Sequence, residues 1–309
     1  MQMKANQRMV LFILFALLLY DHNLEAKVFK LYFLGGQSNM DGYGYVSDLP
    51  EELTNPFKRV MIYHGNTAPD GSQTDGNGLW RKLRPGHGVG FASDGKTNTY
   101  SDRFGVELTF ARQILELQPN EHIAIIKYSR GGTSIDTAAA GHFGCWEPDY
   151  NKGNGINQYD HFLATVRNAF SISDIDDDGE ADMLLPSGIV WMQGESDAAY
   201  SEEIALRYES NLKRLMDLIR AAFRVDDLPV VVGRISDSGQ DQDGKVWDYG
   251  EVVRRAQANF VTTDDHAALV TTTDDYKYSD TWHYDSEGYL DLGKQFADAV
   301  FQLGTHTQE

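Results

Sequence analysis

Val28-Phe29-Lys30-Leu31-Tyr32-Phe33-Leu34 runs directly into Gly35-Gly36-Gln37-Ser38-Asn39-Met40. Every residue of the first stretch except Lys30 is apolar or aromatic, as in a strand buried on both faces of a parallel sheet. The glycines end the strand. A turn into a helix at Gly36-Gln37-Ser38 leaves the serine hydroxyl exposed and aims the next backbone N–H groups the same way. Alone, Ser38 would be read as a helix cap. Its company changes that reading, because other polar motifs follow other strands.

Apolar, β-prone runs recur over 28–34, 59–63, 122–128, 188–192, 229–235 and 267–272. Helical patterns separate them over 105–117, 159–171, 202–223, 249–260 and 286–303. Two-sided strands alternating with amphipathic helices predict an α/β protein, a three-layer α/β/α sandwich around a mainly parallel sheet. No linker or internal repeat divides the chain, so residues 27–309 are expected to be a single domain. Residues 65–98, rich in Gly, Asp, Asn and Thr, are expected to form a functional loop near the mouth of a site. In an open parallel sheet, ligands bind beyond the carboxyl ends of the strands. Four motifs fall there: Ser38 after the first strand, Ser129-Arg130-Gly131-Gly132-Thr133-Ser134 after the third, Gln193-Gly194-Glu195-Ser196-Asp197 after the fourth, and Arg234-Ile235-Ser236-Asp237 after the fifth.

The 309-residue chain is 41% hydrophobic and carries a formal charge of −19. That acidity argues against nucleic acid and anionic membrane as partners. Lys4 and Arg8, the apolar run 9–20 and a polar stretch ending at Ala26 read as an export signal. The apolar run is too short to span a bilayer comfortably. Residues 1–26 are therefore expected to be a signal peptide, leaving a secreted or periplasmic protein with no membrane span after cleavage. The lone Cys145 permits no intrachain disulfide, and its neighbours form no setting that would activate a thiol.

Near the C-terminus, Asp280-Thr281-Trp282-His283 supplies what a serine nucleophile lacks. A serine hydroxyl needs a base to take its proton. A carboxylate three positions before a histidine can reach the far imidazole nitrogen, fix its tautomer and stabilise the imidazolium. Ser38 is the expected nucleophile, His283 the base and Asp280 its orienting acid, with Glu195 able to replace or assist Asp280. A tetrahedral oxyanion also needs donors. The candidates are the N–H of Ser38, the N–H of Gly131 or Gly132, and the side-chain amide of Gln193. Asp174, Asp176, Asp178 and Asp182 stand at positions 1, 3, 5 and 9 of a loop with Gly179 at position 6, a spacing that suits Ca²⁺. Leu185 stands where an EF-hand needs glutamate, so the readings left are a shorter, structural calcium loop and a solvated acidic turn. No zinc spacing, phosphate loop or dinucleotide fingerprint is present.

Gly36-Gln37-Ser38-Asn39-Met40, Gly131-Gly132-Thr133-Ser134-Ile135, Trp191-Met192-Gln193-Gly194-Glu195-Ser196-Asp197, Val253-Arg254-Arg255-Ala256-Gln257 and Asp280-Thr281-Trp282-His283 together resemble the SGNH/GDSL-type hydrolase superfamily. More narrowly, the chain resembles the sialate O-acetylesterase-like domain shared with acetylxylan esterases of carbohydrate esterase family six. The resemblance spans most of residues 27–309. It implies a flavodoxin-like fold and hydrolysis of acetyl esters on carbohydrates, of acetylxylan or sialate type, with no cofactor required. It further implies Ser38 as nucleophile, His283 as base, Gly132 and Gln193 in the oxyanion hole, and either Asp280 or Glu195 as the third triad member. The acidic loop inherits nothing from it. Two rival readings are a lipase or arylesterase on the same fold and a non-catalytic, calcium-dependent carbohydrate-binding module. The polar loops argue against the first, and the second has no need of Ser38 with His283. Trp80, Trp146 and Trp247 are the candidates for stacking on sugar rings.

Overall fold

The computed structural model describes residues 26–66, 76–151 and 156–306, so the expected signal peptide lies outside the described residues except for Ala26. Among these residues one sheet holds seven strands: β1 (Val28–Gly36), β2 (Val60–His64), β3 (Trp80–Lys82), β4 (His122–Ser129), β5 (Met183–Met192), β6 (Val230–Gly233) and β7 (Ala267–Val270). Their order is β7-β6-β5-β1-β4-β2-β3. All neighbours are parallel except β2 with β3. The helices that matter below are α1 (Ser38–Asp41), α2 (Glu107–Leu117), α3 (Gln158–Phe170), α4 (Glu195–Ala198), α5 (Glu202–Phe223), α6 (Gly250–Thr262) and α7 (Ser286–His306).

Alternation along β1 shows how the layers arise, since successive strand side chains point to opposite faces. On one face Tyr32 meets Phe110 of α2 edge-on, 5.1 Å between ring centres. On the other, Phe33 meets Phe162 of α3 at 4.8 Å and Phe223 of α5 at 6.0 Å. All five rings are buried, and each such pair contributes about 0.5–1.5 kcal/mol beyond the area it removes from water. Helices thus cover both faces of a mainly parallel sheet, the three-layer α/β/α arrangement that the sequence predicts.

Two details differ from the sequence-based expectation. β5 starts at Met183 rather than near Gly188 and passes through Pro186. Proline fits there because β6 pairs with β5 only from Ile189 onward, so the missing N–H faces no partner on that side. A bulge opposite Leu31 and Tyr32 absorbs the irregularity. Of residues 65–98, expected to be a loop, 67–75 lie outside the described residues, and the rest are more than a loop. They contribute the antiparallel edge strand β3, whose Trp80 packs on Tyr63 of β2.

β1 lies where the connections switch sides: β4, β2 and β3 follow on one side and β5, β6 and β7 on the other. Such a switch point opens a crevice at the carboxyl ends of the strands. There Gly36 pairs with Ser129 of β4 and with Met192 of β5, so three of the motifs leave the sheet side by side. Gly36 has φ +144°, and a Cβ on it would lie 2.0 Å from the Met192 carbonyl oxygen. Only glycine lets the chains converge this closely. Among the described residues, no helix is long and apolar enough to cross a membrane.

Candidate active site

Ser38 opens α1 directly beyond β1, and the preceding Gln37 N–H donates to the Met192 carbonyl at 2.9 Å. Facing it is the loop that precedes α7. His283 Nδ1 lies 2.8 Å from Asp280 Oδ2, while Asp280 Oδ1 accepts the N–H groups of Trp282 and His283, each at 2.8 Å. A carboxylate at Nδ1 calls for the proton on that nitrogen and leaves Nε2 with its lone pair free. Burial pushes the Asp280 carboxyl up, but the hydrogen bonds from His283 and from the two N–H groups outweigh it and hold it below the usual carboxylate range. Tyr43 lies flat on the imidazole, with ring centres 3.5 Å apart and planes 5° from parallel. The ring of His283 is thus fixed both in its plane and in its tautomer.

Ser38 and His283 line one open cleft of about 720 Å³, together with Asp41, Tyr43, Arg130, Gly132 and Trp282. Among the described residues no hydrogen bond joins the Ser38 hydroxyl to the His283 imidazole; what they share is the cleft.

Other expected residues stand elsewhere. Glu195 is buried, 2% exposed, and its Oε1 accepts from Asn39 Nδ2 at 2.9 Å. The carboxylate bonded to His283 is that of Asp280, not Glu195. Burial pushes the Glu195 carboxyl up, against the opposing effect of the Asn39 hydrogen bond. The N–H of Gly131 donates to Asp41 Oδ2 at 2.8 Å, which takes it from any oxyanion. Gln193 is fully buried, and its amide donates to Asp197 Oδ2 at 2.7 Å and to the Thr133 carbonyl at 3.1 Å. Its donor hydrogens are used, and it does not line the cleft. With Asp197, which also accepts the N–H groups of Ile135 and Asp136, Gln193 braces the turn that carries Gly132. The same burial raises the Asp197 carboxyl to about 7, against the hydrogen bonds it accepts. Two of the four expected donors remain open: the N–H groups of Ser38 and Gly132 meet no acceptor among the described residues, and Gly132 adopts φ +73°.

Asp174, Asp176 and Asp182 bring one oxygen each to within 4.8 Å of one another, a group able to hold a cation. Asp178 turns instead to Lys27, which also pairs with Asp176. This loop sits at the amino end of β1, separated from Ser38 by a nine-residue strand, roughly 30 Å at 3.3 Å per residue. Cys145 is buried, and burial pushes its thiol up to about 12.

Trp80 and Trp146 belong to the core, whereas Trp247 lines the cleft. Three exposed aromatic rings join it at the mouth: Phe143, Tyr200 and Trp282. The Arg130 guanidinium lies 4.8 Å above the Phe143 ring. Asn39 and Trp282 sit inside the motifs read from sequence, and that position was their only signal. Nothing in the sequence marks Tyr43 as the residue that stacks on His283.

The family model described as carbohydrate esterase, sialic acid-specific acetylesterase, matches residues 28–302. No curated protein matches the chain at a significant level. Among solved structures, a protein from Arabidopsis thaliana is 18% identical, with 88% of this chain and 98% of that one covered and a TM-score of 0.62. A carbohydrate acetylesterase from Xanthomonas citri is 16% identical, with 90% of this chain but 56% of that one covered and a TM-score of 0.60. NanS is 15% identical, with 92% of this chain and 99% of that one covered and a TM-score of 0.58. At these identities the likeness is one of fold.

Proposed function

Because the chain belongs to the carbohydrate esterase family of sialic acid-specific acetylesterases, we propose that it hydrolyses O-acetyl esters on saccharides through an acetyl-enzyme, with Ser38 as nucleophile and His283 as base. One observation carries this reading. An imidazole oriented by Asp280 and Tyr43 faces the same cleft as a serine at the carboxyl end of β1. His283 Nε2 takes the Ser38 proton as Oγ attacks the acetyl carbonyl carbon. The oxyanion then lies against the N–H groups of Ser38 and Gly132, donors held in place before the charge develops. Collapse expels the sugar oxygen, which takes the proton back from His283. Water attacks the acetyl-serine, passes its proton to His283, and the second collapse releases acetate and restores Ser38.

The cleft mouth supports a sugar as the alcohol part of the ester. Phe143, Tyr200, Trp247 and Trp282 offer flat apolar faces beside polar groups, the mixed lining that suits a ring with one C–H face and a hydroxyl edge. These steps need no cofactor. A calcium ion held by Asp174, Asp176 and Asp182 would brace the amino end of the sheet, far from the chemistry. Lys4, Arg8 and the apolar run 9–20 support export. The test is acetate release from a panel of acetylated xylan fragments and acetylated sialosides. Ser38→Ala should lower the rate by at least about 10³-fold and leave the thermal midpoint in place. Hydrolysis by Ser38→Ala at the wild-type rate overturns the reading.

A further inference from the structure

Asn39 follows the proposed nucleophile, yet its side chain is 2% exposed and turns away from the cleft into the protein. It meets three elements. Nδ2 donates to Glu195 Oε1 of α4 at 2.9 Å and to the Trp282 carbonyl at 3.2 Å, and Oδ1 accepts from the Tyr289 hydroxyl of α7 at 2.8 Å. Two acceptors on one side and a hydroxyl donor on the other allow a single orientation of the amide. Trp282 is the residue before His283. Among the described residues, the Asn39–Trp282 hydrogen bond is the direct polar link from α1 to the loop Asp280–His283. Glu195 stands behind it. Among the described residues its other oxygen, Oε2, is buried without a hydrogen-bond partner, so apart from the backbone of Glu195 itself the carboxylate is bonded by Asn39 alone.

We propose that Asn39 and Glu195 form a positioning clamp: Glu195 fixes the Asn39 amide, and Asn39 fixes the backbone of Trp282, so that His283 is held in register with Ser38. This rests on the reading of Ser38 and His283 given above. In it Glu195 is a positioning residue that acts through its acceptor oxygen and not through its charge. Glutamine keeps an acceptor oxygen for Asn39 and puts its amide nitrogen where Oε2 meets nothing; alanine keeps neither. A displacement of about 1 Å between reacting groups costs on the order of 100-fold in rate, which sets the scale of the effect.

The experiment compares wild type, Glu195→Gln, Glu195→Ala, Asn39→Ala and Ser38→Ala as full-length proteins on p-nitrophenyl acetate. For the variants that keep Ser38, kcat is expressed per serine labelled to completion by a fluorophosphonate, Ser38→Ala is assayed per protein, and thermal midpoints are recorded. Glu195→Ala and Asn39→Ala should lose about 100-fold in kcat per labelled site with little change in KM, and Glu195→Gln should recover most of that loss. A purely structural role would reduce the number of labelled sites and leave kcat per site unchanged, which overturns the clamp. Equal losses in Glu195→Gln and Glu195→Ala also overturn it, because the charge would then be what matters. Should Asn39→Ala fail to fold, the Glu195 pair decides alone. An inactive Ser38→Ala alongside indistinguishable Glu195 variants defeats the clamp only, whereas an active Ser38→Ala defeats the underlying reading as well.

Discussion

Replacing Asp280 with asparagine separates the charge of the proposed triad acid from its hydrogen bonds. The Asp280 carboxylate lies 2.8 Å from His283 Nδ1, and 44% of its side chain is exposed. Unit charges about 4 Å apart attract by about 4 kcal/mol at an effective dielectric constant of about 20. Solvent screening at a side chain this exposed removes roughly half, leaving about 2 kcal/mol for stabilising the imidazolium formed during attack. Asparagine can keep its carbonyl on the N–H groups of Trp282 and His283. It then presents Nδ2 to His283 Nδ1, and either the imidazole changes tautomer or that bond is lost, for about 1 kcal/mol more. The total of about 3 kcal/mol corresponds to a fall of roughly 150-fold in kcat/KM. Initial rates on p-nitrophenyl acetate, normalised to labelled serine, measure it. An unchanged kcat/KM in Asp280→Asn would refute the reasoning and remove Asp280 from the triad.

Gly36→Ala should destabilise the protein by about 3 kcal/mol or more, because a Cβ at φ +144° would press on the Met192 carbonyl; a urea midpoint equal to wild type would contradict the convergence argument. His64 and His87 lie buried with their Nδ1 atoms 3.3 Å apart. Burial first, and then the Lys127 charge, hold both well below the ordinary value of 6.5. The unfolded chain takes up protons that the folded one refuses, so these groups make stability fall as pH drops below about 6.5, by up to about 2.7 kcal/mol per pH unit for two sites. His87→Phe should therefore remove about half of the pair's own contribution, so that its thermal midpoints decline less steeply on acidification than those of wild type, and parallel declines would show that the pair does not titrate as argued.

Most of the layer architecture was legible because it depends on short-range pattern. The run 28–34 is apolar apart from Lys30 and ends in glycines, and the 22-residue amphipathic helix Glu202–Phe223 carries a helical period. β3 was missed because three residues in a Gly- and Asp-rich segment carry no period at all. The start of β5 was missed because Pro186 argues against a strand until the lack of a β6 partner at that point is known. At the candidate site, Ser38, His283 and Asp280 stood out by residue type and spacing. The use made of Gly131, Gln193 and Glu195 did not, since glycine N–H groups and amides read alike in sequence whether or not they are engaged.

The sequence by itself determined the chain order of the longer strands and helices and the turn that carries Ser38, because each rests on neighbours a few positions apart. It left Asp280 and Glu195 both open as the partner of His283 until the fold put Asp280 Oδ2 2.8 Å from Nδ1. Tertiary structure alone decided which donors stay open at the cleft. A hydrogen-bonding group is free or spent according to what lies about 3 Å away. For Gln193 that neighbour is the carbonyl of Thr133, 60 positions earlier, and for Gly131 it is the carboxylate of Asp41, 90 positions earlier.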